Sequence, residues 1–471
     1  MRISSRSPKQ TFRLWKGFAV LLVLPAFLLA GGLQTEQNAV SADEAKTEAP
    51  AAESTEPVQS APDLAKKDED PLFYVAEPHP IDPVKLEDLD AAVLRGVQFI
   101  LKNQNKDGSW GLPRNTKRLN IYAPGTAHAG YRAGTTALVL ESLLMVERFL
   151  QEDPQTSPEL KALLPEISAA ADRCEEWMFT RMLELKRSSP DVLYNNWGHA
   201  YGMSTYRLMF ERKFPQKPLS EEELAKRQEK IREAVRYQLH MLVTCECMTG
   251  GWCYYDGIHD GEFSSKRPNN STIGFVTGTV LVGMTDGQVC GVEMPKDVIE
   301  RAKDSLVRQR LPNGSFAYGE YLVREPHSIN QPPASLGRSQ VCHLALGLWG
   351  DTKYATQEMY EAWLTRMVSR VGWLDIGRKR PVPHEAWFGV AGYFYYYAHY
   401  YAARVLEQLE KPESQTKFAN HLTAILLELQ EKNGTWWDYP LYDYHLYYGT
   451  GMAVASLMRY REYLPAEKKA E

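Results

Sequence analysis

The chain predicts an all-α fold, a six-fold α/α toroid with six inner and six outer helices, from an alternation of two kinds of segment and from the turns between them. Residues 89–104, 159–185, 221–242, 296–310, 356–370 and 415–430 are charged and amphipathic, with apolar residues every three or four positions. One apolar face and one wet face suit an outer helix. Residues 134–146, 199–210, 271–284, 339–349, 384–403 and 445–458 carry little charge. Helices apolar nearly all round belong inside, and two concentric rings leave no apolar face exposed while enclosing a central cavity.

A turn containing Gly and an aromatic residue follows each outer segment. The fullest versions run from Gln104 through Gly108 to Trp110 and from Gln430 through Gly434 to Trp436. Shorter ones hold Trp197 with Gly198, Gly250 and Gly251 with Trp252, Gly314 with Phe316, and Gly372 with Trp373. The aromatic members stand 55 to 87 residues apart, so six turns mark six units.

Upstream, Arg2, Arg6, Lys9, Arg13 and Lys16 precede the apolar run 18–30, and Val40-Ser41-Ala42 supplies small residues for a peptidase. Residues 1–42 therefore read as an export signal or an uncleaved anchor, with the protein periplasmic, secreted or membrane-anchored. Membrane contact is expected only through that segment. Residues 43–84 read as a disordered linker that ends in a Pro-rich arm, and 85–471 as the toroid. Cleavage after Ala42 removes five bases and one acid, taking the net charge from -5 to -9. No cationic block offers phosphate neutralisation, so nucleic acid is excluded as a partner.

Six cysteines stand at 174, 245, 247, 253, 290 and 342. The cluster Cys245, Cys247 and Cys253 admits a local disulfide, a metal site or plain core thiols. The acidic loop with Asp256, His259, Asp260 and Glu262 reads as solvated.

The two full turns resemble the Q-x-x-x-G-x-W repeats of the terpenoid-cyclase and protein-prenyltransferase superfamily. In them Gly lets the chain reverse, Gln can bond the turn backbone and Trp can stack on the next repeat. The segment from Asp443 through Tyr444, His445 and Tyr448 to Gly451 is similar to the part of prenyltransferase beta subunits where a His binds zinc. That resemblance makes His445 the first catalytic candidate, with Asp443 and Glu385 beside it. The Asp and Cys that complete the family's zinc site are replaced by His384, Glu385, Ala386 and Trp387, so a third ligand is not evident, no metal is assigned and the cofactor stays open. The D-x-D-D acid of triterpene cyclases is absent, which argues against cyclisation.

Histidines recur near inner-segment starts as His199, His343, His384 and His445, and helices pointing one way would gather them at one mouth. Tyr393, Phe394, Tyr395, Tyr396, Tyr397, Tyr400 and Tyr401 crowd one segment and either line a cavity or pack against outer helices. Expected cavity-lining residues are Tyr444, Tyr448, His384, Trp387, His199, His343 and Tyr396. Three functional readings follow in order. The first is a lipid- or peptide-binding toroid holding a hydrophobic or isoprenoid-like ligand or a peptide. The second is an isoprenoid-type enzyme rebuilt around His445. The third is a glycan-active α/α enzyme, which needs paired carboxylates across the cavity, with Glu141, Glu211, Glu385 and Asp443 as the main acids available.

Overall fold

The computed structural model describes residues 76–116, 127–153, 156–185, 195–213, 219–254, 272–323 and 327–465. The expected signal, most of the linker and the acidic loop of Asp256 to Glu262 lie outside them. Among the described residues every regular element is helical, apart from one isolated antiparallel bridge between Arg310 and Phe316.

Outer and inner helices alternate along the chain. Outer α1 (Leu86–Lys102) is followed by inner α2 (Ala127–Glu152); a short α3 (Pro158–Ala162) leads into outer α4 (Leu164–Thr180) and inner α5 (Asn195–Glu211). Outer α6 (Glu221–Thr244) and inner α7 (Gly274–Val289) come next, then outer α8 (Lys296–Gln309) and inner α9 (Pro332–Leu348). Outer α10 (Gln357–Ser369), the one-turn α11 (Gly372–Asp375), inner α12 (Phe394–Leu406), outer α13 (Pro412–Glu428) and inner α14 (Tyr444–Arg461) complete the series.

The inner helices touch in the order α2, α5, α7, α9, α12, α14 and back to α2, which is a closed ring. Each outer helix packs on the inner helix before it, and α1, which has none, packs on α14. The six-fold toroid is therefore closed by the first helix seating on the last. Burial follows the charge pattern: α1 hides one face through Leu89, Val93, Val97 and Ile100, whereas every residue of α9 from Pro332 to Leu346 is buried. Ahead of α1 the arm lies along α13, where the Val84 amide donates to Asn420 Oδ1 at 2.6 Å and Lys417 pairs with Glu77 at 2.6 Å.

The turns show how the repeat is held. Trp110, Trp252 and Trp436 are fully buried, and each indole N–H donates to a carbonyl ten residues upstream on its own outer helix, at Ile100, Leu242 and Leu426. Their amides donate to hydroxyls on the following inner helix, from Thr136, Thr277 and Thr450. The Trp therefore staples its own hairpin, and the expected link to the next repeat is made by Gln. Gln104 donates to Gly108 O and, across the gap, to Ala170 O on α4; Gln430 does the same to Gly434 O and to Ala92 O on α1. Gly108, Gly250 and Gly434 have φ near +86 to +89, and an added Cβ would meet the carbonyl of Arg173, Arg301 or Arg95 at 2.3–2.5 Å, so both conformation and space demand glycine.

Several boundaries differ from the sequence reading: α2 and α9 begin seven residues early, and Gly372 and Trp373, expected as a turn, open the one-turn helix α11. Asn195, Asn196 and Trp197 open helix α5 and form no separate turn. Inner helix α12 starts at Phe394, ten residues after the expected His384. Pro381 and Pro383 lack amide donors, and Gly392 lies so close to the sixth turn that a Cβ would stand 2.7 Å from Asp438 O. Residues 377–393 therefore cross the ring mouth as an irregular strap.

Candidate functional site: an aromatic cavity at one mouth of the ring

A cavity of about 340 Å³ opens among the N-terminal halves of the inner helices. Gly130, Gly134 and Leu138 of α2 form one side; Trp197 and Tyr201 of α5, Phe275 of α7, Phe394 and Tyr397 of α12, and Tyr448 and Met452 of α14 supply most of the rest. Tyr254, Tyr318, His384, Tyr393 and Tyr439 reach in from the segments before the helices. The rings brace one another, with Phe275 edge-on to Phe394 at 4.9 Å between centroids and Trp197 tilted on Phe275 at 5.6 Å. The walls are therefore stiff as well as apolar.

Hydroxyls line this greasy surface in a directed network. His384 presents Nδ1 to Gly389 O at 2.6 Å, which fixes the proton on that nitrogen and leaves Nε2 to accept from the Tyr393 hydroxyl at 3.0 Å. Tyr393 in turn stands 3.2 Å from the Tyr318 hydroxyl and 3.4 Å from that of Tyr254, and these last two touch each other. Burial lowers the His384 pKa, so the ring stays neutral near pH 7. Behind Tyr318 the buried Arg338 guanidinium donates to the carbonyls of Phe316, Ala334 and Ile329, pinning the segment that carries the tyrosine.

One acid stands directly behind the wall. Asp438 follows the sixth-turn tryptophans and is fully buried; its Oδ1 accepts from the cavity residue Tyr448 at 3.0 Å and its Oδ2 from the Tyr396 amide at 3.0 Å. Among the described residues no Lys or Arg pairs with it. Burial raises its pKa to about 7 against the lowering pull of those two hydrogen bonds, so it titrates far closer to neutrality than an ordinary carboxyl. The sequence reading missed this residue, and its only local signal was an acid placed straight after Trp436-Trp437.

Of the residues expected at the site, the cavity takes His384 and Tyr448. Asp443 lies at the ring seam, where it accepts from the Leu112 amide at 2.6 Å and pairs with Arg114 at 3.1 Å; burial raises its pKa, against those two contacts. His445 is buried against Trp437, 5.1 Å between ring centroids. Glu385 is exposed and Trp387 is 81% exposed. His199 bonds Gln238 of α6, and His343 bonds Gly314 O of the fourth turn, so both lie between the two rings. Tyr444 packs on His128 and Tyr442, and Tyr396 is buried outside the cavity. The histidines therefore do not gather into one ring at the mouth.

Both His384 nitrogens are engaged, Glu385 is in solvent and His445 is in the core, so these three offer no shared metal position. Among the described residues no cluster of three or more His, Cys, Asp or Glu has metal-ligand placement. All six cysteines are buried, and the Cys247 thiol is held protonated by its hydrogen bond to Cys253 and by burial.

The opposite mouth is charged. Asp286 accepts from Arg404 at 2.8 and 2.9 Å and from Arg207 at 2.9 Å, Glu141 from Arg459 at 3.0 Å and from the Tyr400 hydroxyl at 2.8 and 2.9 Å, and Glu211 from Arg207 at 3.1 Å. These inner-helix carboxylates are thus neutralised by arginines, and among the described residues no carboxylate lines the aromatic cavity.

No family model matches the chain, and no curated protein matches its sequence. Solved structures similar to it include a wild-type glycosidase, with a TM-score of 0.44 at 10% identity over 82% of this chain and 100% of the other, and a variant of that type at 0.45, 10%, 82% and 100%. A third is a mutant reducing-end-xylose releasing exo-oligoxylanase complexed with xylobiose, at 0.36 and 12% identity over 83% of this chain and 99% of the other. The expected order put lipid or peptide binding first and a glycan-active enzyme third, whereas the solved structures similar to the chain are glycosidases.

Proposed function

We propose that this is a glycan-active α/α enzyme that takes a sugar unit into the aromatic cavity, with Asp438 handling protons through Tyr448. The observation that carries the reading is a stiff wall of ring faces whose hydroxyls form one hydrogen-bonded network around His384. Ring faces suit the C–H faces of a pyranose, while tyrosine hydroxyls suit its hydroxyl-bearing edge. The volume holds a sugar unit or two.

Asp438 supplies the chemistry. A carboxyl titrating near neutrality is matched to proton transfer at physiological pH. Protonated Asp438 can pass its proton to the Tyr448 oxygen while Tyr448 releases its own into the cavity, toward the oxygen of a departing group, and the hydroxyl is neutral before and after. Glycoside hydrolysis ordinarily uses a second carboxylate. Among the described residues Asp438 is the carboxyl bonded to a cavity side chain, so the proposal covers sugar binding and proton donation. The test is a broad glycan array followed by release assays on the glycans retained. Retention of defined glycans, weakened by Tyr393→Phe, with turnover abolished by Tyr448→Phe at preserved binding, is the expected outcome; an array that retains nothing refutes the reading.

A further inference from the structure

Most large apolar residues that the described chain exposes lie scattered, but three cluster by sequence with the cavity wall. Tyr321, 57% exposed, stands three residues after Tyr318; Val382, 48% exposed, adjoins Pro383; Trp387, 81% exposed, stands three residues after His384. Trp387 is the most exposed large hydrophobic residue described.

The segments that carry these side chains are held in place. His384 and Phe388 have φ of +63 and +59, a conformation that L-residues adopt at a cost. Ala386 is buried and Phe388 packs against the core, so the residues either side of Trp387 are anchored while its own indole is held in solvent. The 3-10 turn Ser328–Asn330 packs against the turn Trp387–Gly389. Asn330 accepts from the Tyr318 amide at 2.9 Å and donates to Leu322 O at 2.9 Å, tying the Tyr321 turn into the same rim. A strained, anchored strap that displays a tryptophan three residues from a cavity-lining side chain offers a ring face already in place for stacking.

We infer that Trp387 and Tyr321 form an outer subsite that stacks the sugar units of an oligosaccharide whose end unit occupies the cavity. This rests on the saccharide reading of the cavity and adds that the ligand is a chain, bound partly outside the ring. The occupant follows from continuity: both aromatics lie on the segments that carry Tyr318 and His384 into the cavity, so a chain leaving the cavity meets them first.

Titration calorimetry on the full chain with cello- and xylo-oligosaccharides, from monosaccharide to hexasaccharide, tests it. Affinity of the unaltered protein should rise with length, and Trp387→Ala should remove about three- to tenfold of that gain while leaving the shortest bound sugar unaffected. Tyr321→Ala should remove a smaller part and Trp387→Phe should restore most of it. Binding that does not change with length, or a length gain that survives Trp387→Ala, overturns the outer subsite and leaves the cavity reading standing. Failure of every sugar to bind the unaltered protein sinks this inference together with the saccharide reading. Because Trp387 is exposed, its loss does not threaten folding, and an unchanged melting profile verifies that.

Discussion

Replacing Asp438 by Asn keeps the shape of the buried carboxyl and removes its titration, which makes the consequence of its burial measurable. In the native protein the group has a pKa of about 7, against 3.8 for an ordinary Asp. Between those values the folded chain binds one more proton than the unfolded chain, so the native state loses stability as pH rises from about 4 to about 7. The full difference corresponds to about 4 kcal/mol at pH 7 and above, at 1.36 kcal/mol per unit. Buried histidines work in the opposite direction. Burial pulls His199 to about 4 and His343 and His399 to about 3, so each costs stability as pH falls below about 6.5. The raw pH profile therefore mixes both signs, whereas the difference between Asp438→Asn and the unaltered protein isolates one carboxyl. Asn can still accept from the Tyr396 amide, and its NH₂ can donate to Tyr448, whose own proton is free to turn to Tyr439 O at 3.3 Å. Urea unfolding at closely spaced pH values should show the two proteins nearly equal at pH 4 and the Asn variant more stable by a few kcal/mol at pH 8. A difference that stays flat across that window refutes the raised pKa and with it the proton-handling role given to Asp438.

Two further outcomes follow from packing. Gly434→Ala should cost about 3 kcal/mol by urea unfolding, because φ is +86 and the new methyl would sit 2.5 Å from Arg95 O, whereas Gly291→Ala, at φ +82 with its nearest neighbour 3.7 Å away, should cost about 1 kcal/mol. Asp286→Asn should cost about 3–5 kcal/mol, since it strands the buried Arg404. Burial works to raise the Asp286 pKa, yet Arg404 and Arg207 outweigh it and hold it at about 2. The native contribution of this carboxylate is therefore complete above pH 4 and fades as pH falls toward 2, so the penalty of the Asn variant should shrink on acidification.

The ring was legible because its determinants are local and repeated. Helical periodicity separates outer from inner segments, and the Trp of the two full turns, Trp110 and Trp436, holds a structural role that recurs at Trp252. The site was less legible because it depends on where side chains point. In the aromatic run of α12, the 3.6-residue period sends Phe394 and Tyr397 to the cavity, Tyr400 to Glu141 on α2 and Tyr401 to Thr279 on α7. Composition alone shows only a crowd. His199 and His343 stand on inner helices as anticipated, but their rings face outward to α6 and the fourth turn, a matter of angle around the helix that spacing of histidines does not reveal. Asp438 became notable only through the strap, which carries Gly392 against it and places the Tyr396 amide over its carboxyl.

The seating of α1 on α14 gives the molecule no terminal repeats in the sense of an open solenoid. In a stack of modules the end units can fray while the middle survives, because each contributes its own interface. Here Asp90 on the first helix holds Arg461 on the last, and Gln430 reaches back to Ala92, so loosening either end breaks contacts of the other. Hairpins that are independent in sequence thus share one fate, and the two ends of the folded body lie close enough that a peptide linker could join them and new ends be cut at another exposed turn.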